Sequence, residues 1–197
     1  PMQLAALGTP ALIDVRTAEE FADGHLVGSI NVPFSNEVAT YVGWIESIET
    51  PMVVIADDVE KCRDVTVQLG RIGYDNVVGF IPDGLAAWRQ AGLPLVSSRV
   101  ATFSDLFEAS PSTVLDVRDP VEFEDGALPG ALNIHLGSLD ERMAEVPEGE
   151  VWVHCASGYR ASAAIGLLER AGRRAVLVKD DFGGVDRTKL AESVPVR

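Results

Sequence analysis

The chain repeats itself, and no other feature limits its fold so tightly. Ala11-Leu-Ile-Asp-Val-Arg16 is answered by Thr113-Val-Leu-Asp-Val-Arg118, and Gly28-Ser-Ile-Asn-Val32 by Gly130-Ala-Leu-Asn-Ile134, both at an offset of 102 residues. Pro51-Met-Val-Val-Ile55 then matches Glu150-Val-Trp-Val-His154, and Arg71-Ile-Gly73 matches Arg170-Ala-Gly172, with the offset shortened to 99. Self-similarity on this scale means two copies of one module. With 197 residues, each copy has the length of a small domain. The turn-rich segment 91–98 ends the first copy, so the domains are read as 1–98 and 99–197.

Within each copy, short β-branched runs alternate with helical stretches, the pattern of an α/β fold with a parallel sheet and crossover helices. Strands are expected at 11–15, 29–32, 52–56 and 77–79, and again at 113–117, 131–134, 151–154 and 175–178. Thr17-Ala-Glu-Glu20 has the form of a capping box, and Asp119-Pro120 with Glu122 supplies an N-cap, a first-turn proline and an N3 acid. Longer helices are expected near 61–71 and 160–171, where apolar residues recur at helical spacing, and a short one at 104–110.

Charge and cysteine usage exclude several classes. Sixteen Lys and Arg against thirty Asp and Glu leave a net charge of −14, which repels nucleic acid and anionic lipid alike. Two cysteines cannot build a disulfide framework, and no apolar run has the roughly 20 residues of a membrane helix. No targeting segment shows, so the expected location is the reducing cytoplasm. A proline ahead of Met2 is not how translation begins, so the chain is read as part of something longer.

In an open parallel sheet, ligands bind beyond the carboxyl ends of the strands, which directs attention to the segment after His154. There Cys155-Ala-Ser-Gly-Tyr-Arg160-Ala-Ser162 takes a strand into a cysteine, a small loop and an arginine at the mouth of a helix. Backbone N–H groups in such a loop converge, and the helix N-terminus adds partial positive charge. The anion suited to that point is the sulfur of Cys155, since such surroundings stabilise a thiolate and make it nucleophilic. Arg160 offers charge stabilisation or a bidentate grip on an oxyanion. The competing interpretation makes Cys155 a small buried hydrophobe, which accounts for neither the polar loop nor the arginine. Asp116 and Arg118, with Glu122 one turn on, are interpreted first as a salt-bridged cap on a strand-to-helix turn and second as substrate contacts. His135 and His154 lack a third ligand at metal-site spacing, so no metal is expected.

The Asp-Val-Arg strand ends, the Gly-Ala-Leu-Pro-Gly-Ala-Leu-Asn segment at 126–133 and Cys-x-Ser-Gly-x-Arg-x-Ser at 155–162 together resemble the rhodanese family of sulfurtransferases, in its tandem form. The resemblance implies two doubly wound α/β domains, each a parallel sheet flanked by helices, and a cysteine that takes sulfane sulfur from a donor as a persulfide. Thiosulfate, a persulfide or mercaptopyruvate would be the donor, and a thiol or cyanide the acceptor. Cys155, Ala156, Ser157, Gly158, Tyr159 and Arg160 carry over as the active-site loop, and no cofactor is implied. Four residues separate Cys155 from Arg160, one fewer than in the related phosphatases, which favours a single sulfur over a phosphate. The alternative function is a non-catalytic module that binds persulfide or regulates a docked partner enzyme.

The first copy departs from this pattern. Ala56 falls where Cys155 does, and the loop becomes Ala56-Asp-Asp-Val-Glu-Lys61, whose carboxylates repel an anion. Cys62 then lies inside the helix as an incidental cysteine, and the copy is expected to be inactive. His25 belongs to a Gly-His segment with a structural, hydrogen-bonding part. In two-domain thiosulfate enzymes the position of Glu122 resembles an arginine site for the anionic donor, so a glutamate there points away from thiosulfate. The segments 41–46 and 51–58 also resemble the first of two rhodanese units attached to some metallo-β-lactamase-fold hydrolases, which suggests such an enzyme as a partner. Gly84-Leu-Ala-Ala-Trp88 in the first copy has lost its tryptophan in the second, at 183–192, which leaves the packing of the last helix undefined.

Overall fold

Each buried β-branched run becomes a strand paired in parallel with its neighbours. The computed structural model describes residues 9–185. They fall into two units that divide between Ser97 and Ser98. In the first, β1 (Ala11–Asp14), β2 (Ser29–Asn31), β3 (Met52–Ile55) and β4 (Val77–Ile81) form a parallel sheet in the order β2-β1-β3-β4. In the second, β5 (Arg99–Ala101), β6 (Val114–Asp116), β7 (Leu132–Asn133), β8 (Glu150–His154) and β9 (Arg174–Val178) form a parallel sheet in the order β5-β9-β8-β6-β7.

Both sheets are flanked by helices. The first unit has α1 (Ala18–Asp23), α2 (Val38–Ile45), α3 (Val59–Arg71) and α4 (Ala86–Gln90), and the second has α5 (Phe103–Ala109), α6 (Pro120–Glu124) and α7 (Tyr159–Arg170). The two expected caps are present: Thr17 and Glu20 satisfy each other's backbone N–H groups at the start of α1, as Asp119 and Glu122 do at α6. Three elements were not foreseen. Helix α2 joins β2 to β3, α4 follows Leu85, and β5 adds a fifth strand to the second sheet. The stretch expected to form the last helix at 183–192 lies largely outside the described residues, and its visible start is a 3₁₀ turn at Phe182–Gly184.

The repeat extends to individual hydrogen bonds. Arg16 donates to both carboxylate oxygens of Asp14 and to the Gly24 carbonyl, and Arg118 does the same to Asp116 and the Gly126 carbonyl. Asn31 donates to the carbonyls of Asp14 and Arg16, as Asn133 does to those of Asp116 and Arg118. These groups are buried or nearly so, and a buried charge persists only when paired and fully bonded. They pin the turn leaving β1 and β6 in the same shape. Asp116 and Arg118 thus form the salt-bridged cap that was the first interpretation.

The second core gathers Phe103, Leu106, Leu128, Trp152, Val176, Val178 and Phe182. Burial of this set, at about 25 cal/mol for each Å² of apolar surface, holds β8 and β9 against α5.

Candidate active site

The direction of winding reverses between β6 and β8, because the chain runs from β6 out to the edge strand β7 and returns to β8 on the other side of β6. A crevice opens at such a switch point, beyond the carboxyl ends of the two strands. Cys155 leaves β8 at that point, and Asp119 and α6 leave β6 beside it.

Gly158 shapes the loop. Its φ of +92° lies in the left-handed region, and a side chain there would meet the Cα and Cβ of Lys179, each 3.1 Å from an added Cβ. Freed of a side chain, the Gly158 N–H turns inward and donates to Cys155 Sγ at 3.2 Å. Helix α7 starts at the next residue and runs for 12 residues, with Ala161, Ser162, Ala163 and Ala164 buried in its first turns. The sulfur therefore sits against an inward N–H at the positive end of a helix. Cys155 is 2% exposed, Ser157 is exposed, Gly158 is buried, and Ala156, Tyr159 and Arg160 are half-buried. The loop is held from the β9 side as well, since the Phe182 N–H donates to the Ala156 carbonyl at 2.9 Å.

Arg160, expected to offer charge stabilisation or a bidentate grip on an oxyanion, makes a bidentate contact with a carboxylate of the protein itself. Its two terminal nitrogens donate to the two carboxylate oxygens of Glu122, at 2.5 and 2.8 Å. Arg160 thus ties the start of α7 to the start of α6, and its hydrogen bonds to Glu122, with its charge adding to them, hold that carboxyl below the ordinary range. Glu122 also accepts from the Asp119 N–H at 3.1 Å. The sequence paired Glu122 with its own cap; the partner 38 residues away was not visible in any local spacing.

Next to Cys155 lies a buried stack that the sequence did not single out. Phe182 lies parallel to the His154 ring at 5.2 Å and under the Arg118 guanidinium at 3.8 Å, and Phe103 meets both rings edge-on. His154 Nε2 is buried without a hydrogen bond, 3.6 Å from Asp116 Oδ2. Burial lowers the proton affinity of His154, the Asp116 charge opposing it less strongly, so the ring is neutral. His135, at the end of β7, is likewise shifted down by burial, near Asp119, Arg160 and Glu122.

The equivalent loop of the first unit has an alanine where the second has Cys155. Ala56 is fully buried, Asp57 pairs with Lys61 at 2.8 Å, and Asp58 caps α3 by accepting from the Lys61 N–H. Cys62 is fully buried within α3, and burial, with Asp58 and Asp57 adding to it, pushes its thiol up to about 11. His25 is buried, stacked on Phe21 at 3.7 Å and bonded to the Phe21 carbonyl, in keeping with a structural part. Among the described residues no cluster of three or more His, Cys, Asp or Glu could hold a metal, and no helix is long and apolar enough to cross a membrane.

Comparison with known proteins agrees with this anatomy. The chain is 30% identical over 89 residues to the protein YibN of Escherichia coli K12, covering 45% of this chain and 62% of YibN. It is 30% identical over 92 residues to the chloroplastic thiosulfate sulfurtransferase 16 of Arabidopsis thaliana, covering 42% of this chain and 76% of that one. The chain spans about three fifths of the length of several curated relatives that it matches. Among solved structures, a thiosulfate sulfurtransferase from Pseudomonas aeruginosa is 24% identical with a TM-score of 0.40, covering 92% of this chain and 39% of that one. A rhodanese-related protein from Thermoplasma volcanium is 31% identical with a TM-score of 0.41, covering 50% of this chain and 97% of that one. The family model of the rhodanese-like domain matches residues 3–91 and again 100–185, and the chain therefore belongs to the rhodanese family, with two such domains in tandem.

Proposed function

We propose that this protein is a sulfurtransferase in which Cys155 carries the transferred sulfur as a persulfide. The observation that carries the reading is the Gly158 N–H aimed at Cys155 Sγ from the first residue before α7. A sulfur anion is the group that such a donor and helix terminus favour.

In the first half-reaction the Cys155 thiolate attacks the outer, sulfane sulfur of the donor. The new bond forms as the donor's S–S bond breaks, and the electron pair leaves with sulfite from thiosulfate or with a thiolate from a hydropersulfide; with mercaptopyruvate the C–S bond breaks instead, and the pair leaves with pyruvate as its enolate, which then takes up a proton. The outer sulfur, now on Cys155, lies in the same cradle. In the second half-reaction a thiol or cyanide attacks that outer sulfur, and the Cys155 thiolate departs with the bonding pair. The buried position of Cys155 favours small donors, whose reactive end enters past the exposed Ser157. The similar chloroplastic protein of Arabidopsis thaliana, named as a thiosulfate sulfurtransferase, supports the reaction class. The first unit has no such part in this reading, because a methyl group at Ala56 accepts no sulfur and the thiol of Cys62 is buried and protonated.

Steady-state assay with thiosulfate, a hydropersulfide and mercaptopyruvate as donors, and cyanide or a thiol as acceptor, tests the proposal. Turnover with at least one donor, abolished in Cys155→Ala and retained in Cys62→Ala, is the expected result. Undiminished turnover in Cys155→Ala would overturn it.

A further inference from the structure

We infer that the methylene stem of Lys179 is a positioning element of the site: lying where a side chain of Gly158 would lie, it keeps the Gly158 N–H turned onto Cys155 Sγ. The inference rests on the proposal that Cys155 works as a sulfur anion, and it adds a residue that acts through Gly158.

Glycine gives the loop its shape but cannot hold it. At a φ of +92° no side chain of its own restrains Gly158, and glycine has access to more backbone conformations than any other residue. A turn of the Ser157–Gly158 peptide would carry the N–H, now 3.2 Å from Cys155 Sγ, away from the sulfur. Packing against Gly158 is what opposes that turn. The three atoms nearest to an added Cβ at this position are all carbons of Lys179: Cγ at 2.6 Å, and Cα and Cβ at 3.1 Å. The backbone beneath the stem is fixed in turn, since the Lys179 N–H donates to the Ala101 carbonyl at 2.9 Å and extends the pairing of β5 with β9. Three residues on, the Phe182 N–H holds the Ala156 carbonyl at 2.9 Å, so the chain leaving β9 grips the loop on both sides of Ser157.

Lysine suits the place because its two ends differ. The residue stands half-buried at the carboxyl end of β9, and a lysine covers apolar surface with its stem while its ammonium stays hydrated. The first unit has neither half of this arrangement. At the offset of 99 residues, Val59 stands where Gly158 does and Phe80 where Lys179 does, in the copy that has Ala56 in place of Cys155.

The experiment compares wild type, Lys179→Ala and Lys179→Met. Both variants lose the same charge, but only alanine loses the stem beyond Cβ. The rate at which iodoacetamide modifies Cys155 is measured at about pH 7 and about pH 9.5, with peptide mapping to identify the site. The ratio of the first rate to the second should fall about fivefold in Lys179→Ala, as part of the population loses a hydrogen bond to a charged sulfur, and stay within about 1.5-fold of wild type in Lys179→Met. A loop that had merely loosened would react faster at both pH values and leave the ratio where it was. Sulfur loading of Cys155 at neutral pH, followed by intact mass, should slow in Lys179→Ala and be restored in Lys179→Met. An unmoved alkylation ratio in Lys179→Ala overturns the inference, and so does an equal fall in Lys179→Met, which assigns the effect to charge and not to the stem. Neither result touches the proposed function. That proposal falls if the wild-type protein gains no sulfur from any donor, and the alkylation ratios then still decide the part played by Lys179.

Discussion

Replacing Gly158 by alanine should disable the nucleophile and weaken the second unit at once, and the size of the effect can be worked out from the structure. Two costs combine. An L-residue in the left-handed region, at the φ of +92° found here, loses about 1–2 kcal/mol. The added Cβ would also stand 2.6 Å from Lys179 Cγ and 3.1 Å from Lys179 Cα and Cβ. The Cγ can swing away, but the Cα belongs to the chain leaving β9, so loop or strand must move, at about 1–3 kcal/mol for an overpacked contact. The sum is a loss of about 2–5 kcal/mol. Gly172 supplies the control: its φ is +72°, and nothing lies within 4 Å of an added Cβ. Gly172→Ala should therefore show the backbone cost alone, about 1–2 kcal/mol. Urea unfolding followed by the fluorescence of the buried Trp152, with Trp44 and Trp88 replaced by Phe, reports on the second unit. Alkylation of Cys155 in the same proteins should slow at least tenfold in Gly158→Ala, as the displaced N–H no longer faces the sulfur, and remain unchanged in Gly172→Ala. Equal losses in the two variants, or an unaltered alkylation rate in Gly158→Ala, would refute the reasoning.

Three further outcomes follow from the same geometry. At pH 8 a small alkylating agent should modify Cys155 and spare Cys62, whose buried thiol is pushed up to about 11; peptide mapping by mass spectrometry reads the two sites separately. Asp116→Ala should cost the second unit about 3–5 kcal/mol in urea unfolding, because it strands the buried Arg118 guanidinium, and Asp14→Ala should cost the first unit a similar amount through Arg16. His154 is held neutral by burial, whereas in the unfolded chain it gains a proton near its ordinary value of 6.5. Stability is thus full above about pH 6.5 and falls as the pH drops toward the lowered folded value, by no more than about 2 kcal/mol between pH 6.5 and 5. A comparison of wild type with His154→Gln across that interval should show the smaller loss in the variant.

Much of this anatomy is written in local sequence, and the remainder depends on contacts that local sequence does not encode. The strand expected at 11–15 forms as Ala11–Asp14, and the one at 151–154 as Glu150–His154, because β-branched and apolar runs bounded by turns have few alternatives. The caps at Thr17 and Asp119 were legible since their partners lie three residues away. The loop from Cys155 to Arg160 was legible because its glycine, cysteine and arginine are contiguous. Helix α2 was missed, as Val38–Ile45 includes Gly43 and lacks a side-chain cap to announce it. Strand β5 was missed because a three-residue edge strand, Arg99–Ala101, carries too little pattern. The Arg160–Glu122 pair and the Phe182 stack join residues from segments that follow different strands, and only the assembled sheet brings them together.

The most direct test of the account is the intact mass of the protein after brief exposure to a sulfane-sulfur donor, followed by cyanide. The account predicts one added sulfur per chain, mapped to Cys155, absent in Cys155→Ser and removed by cyanide as thiocyanate. A chain that gains no sulfur, or gains it at Cys62, would contradict it.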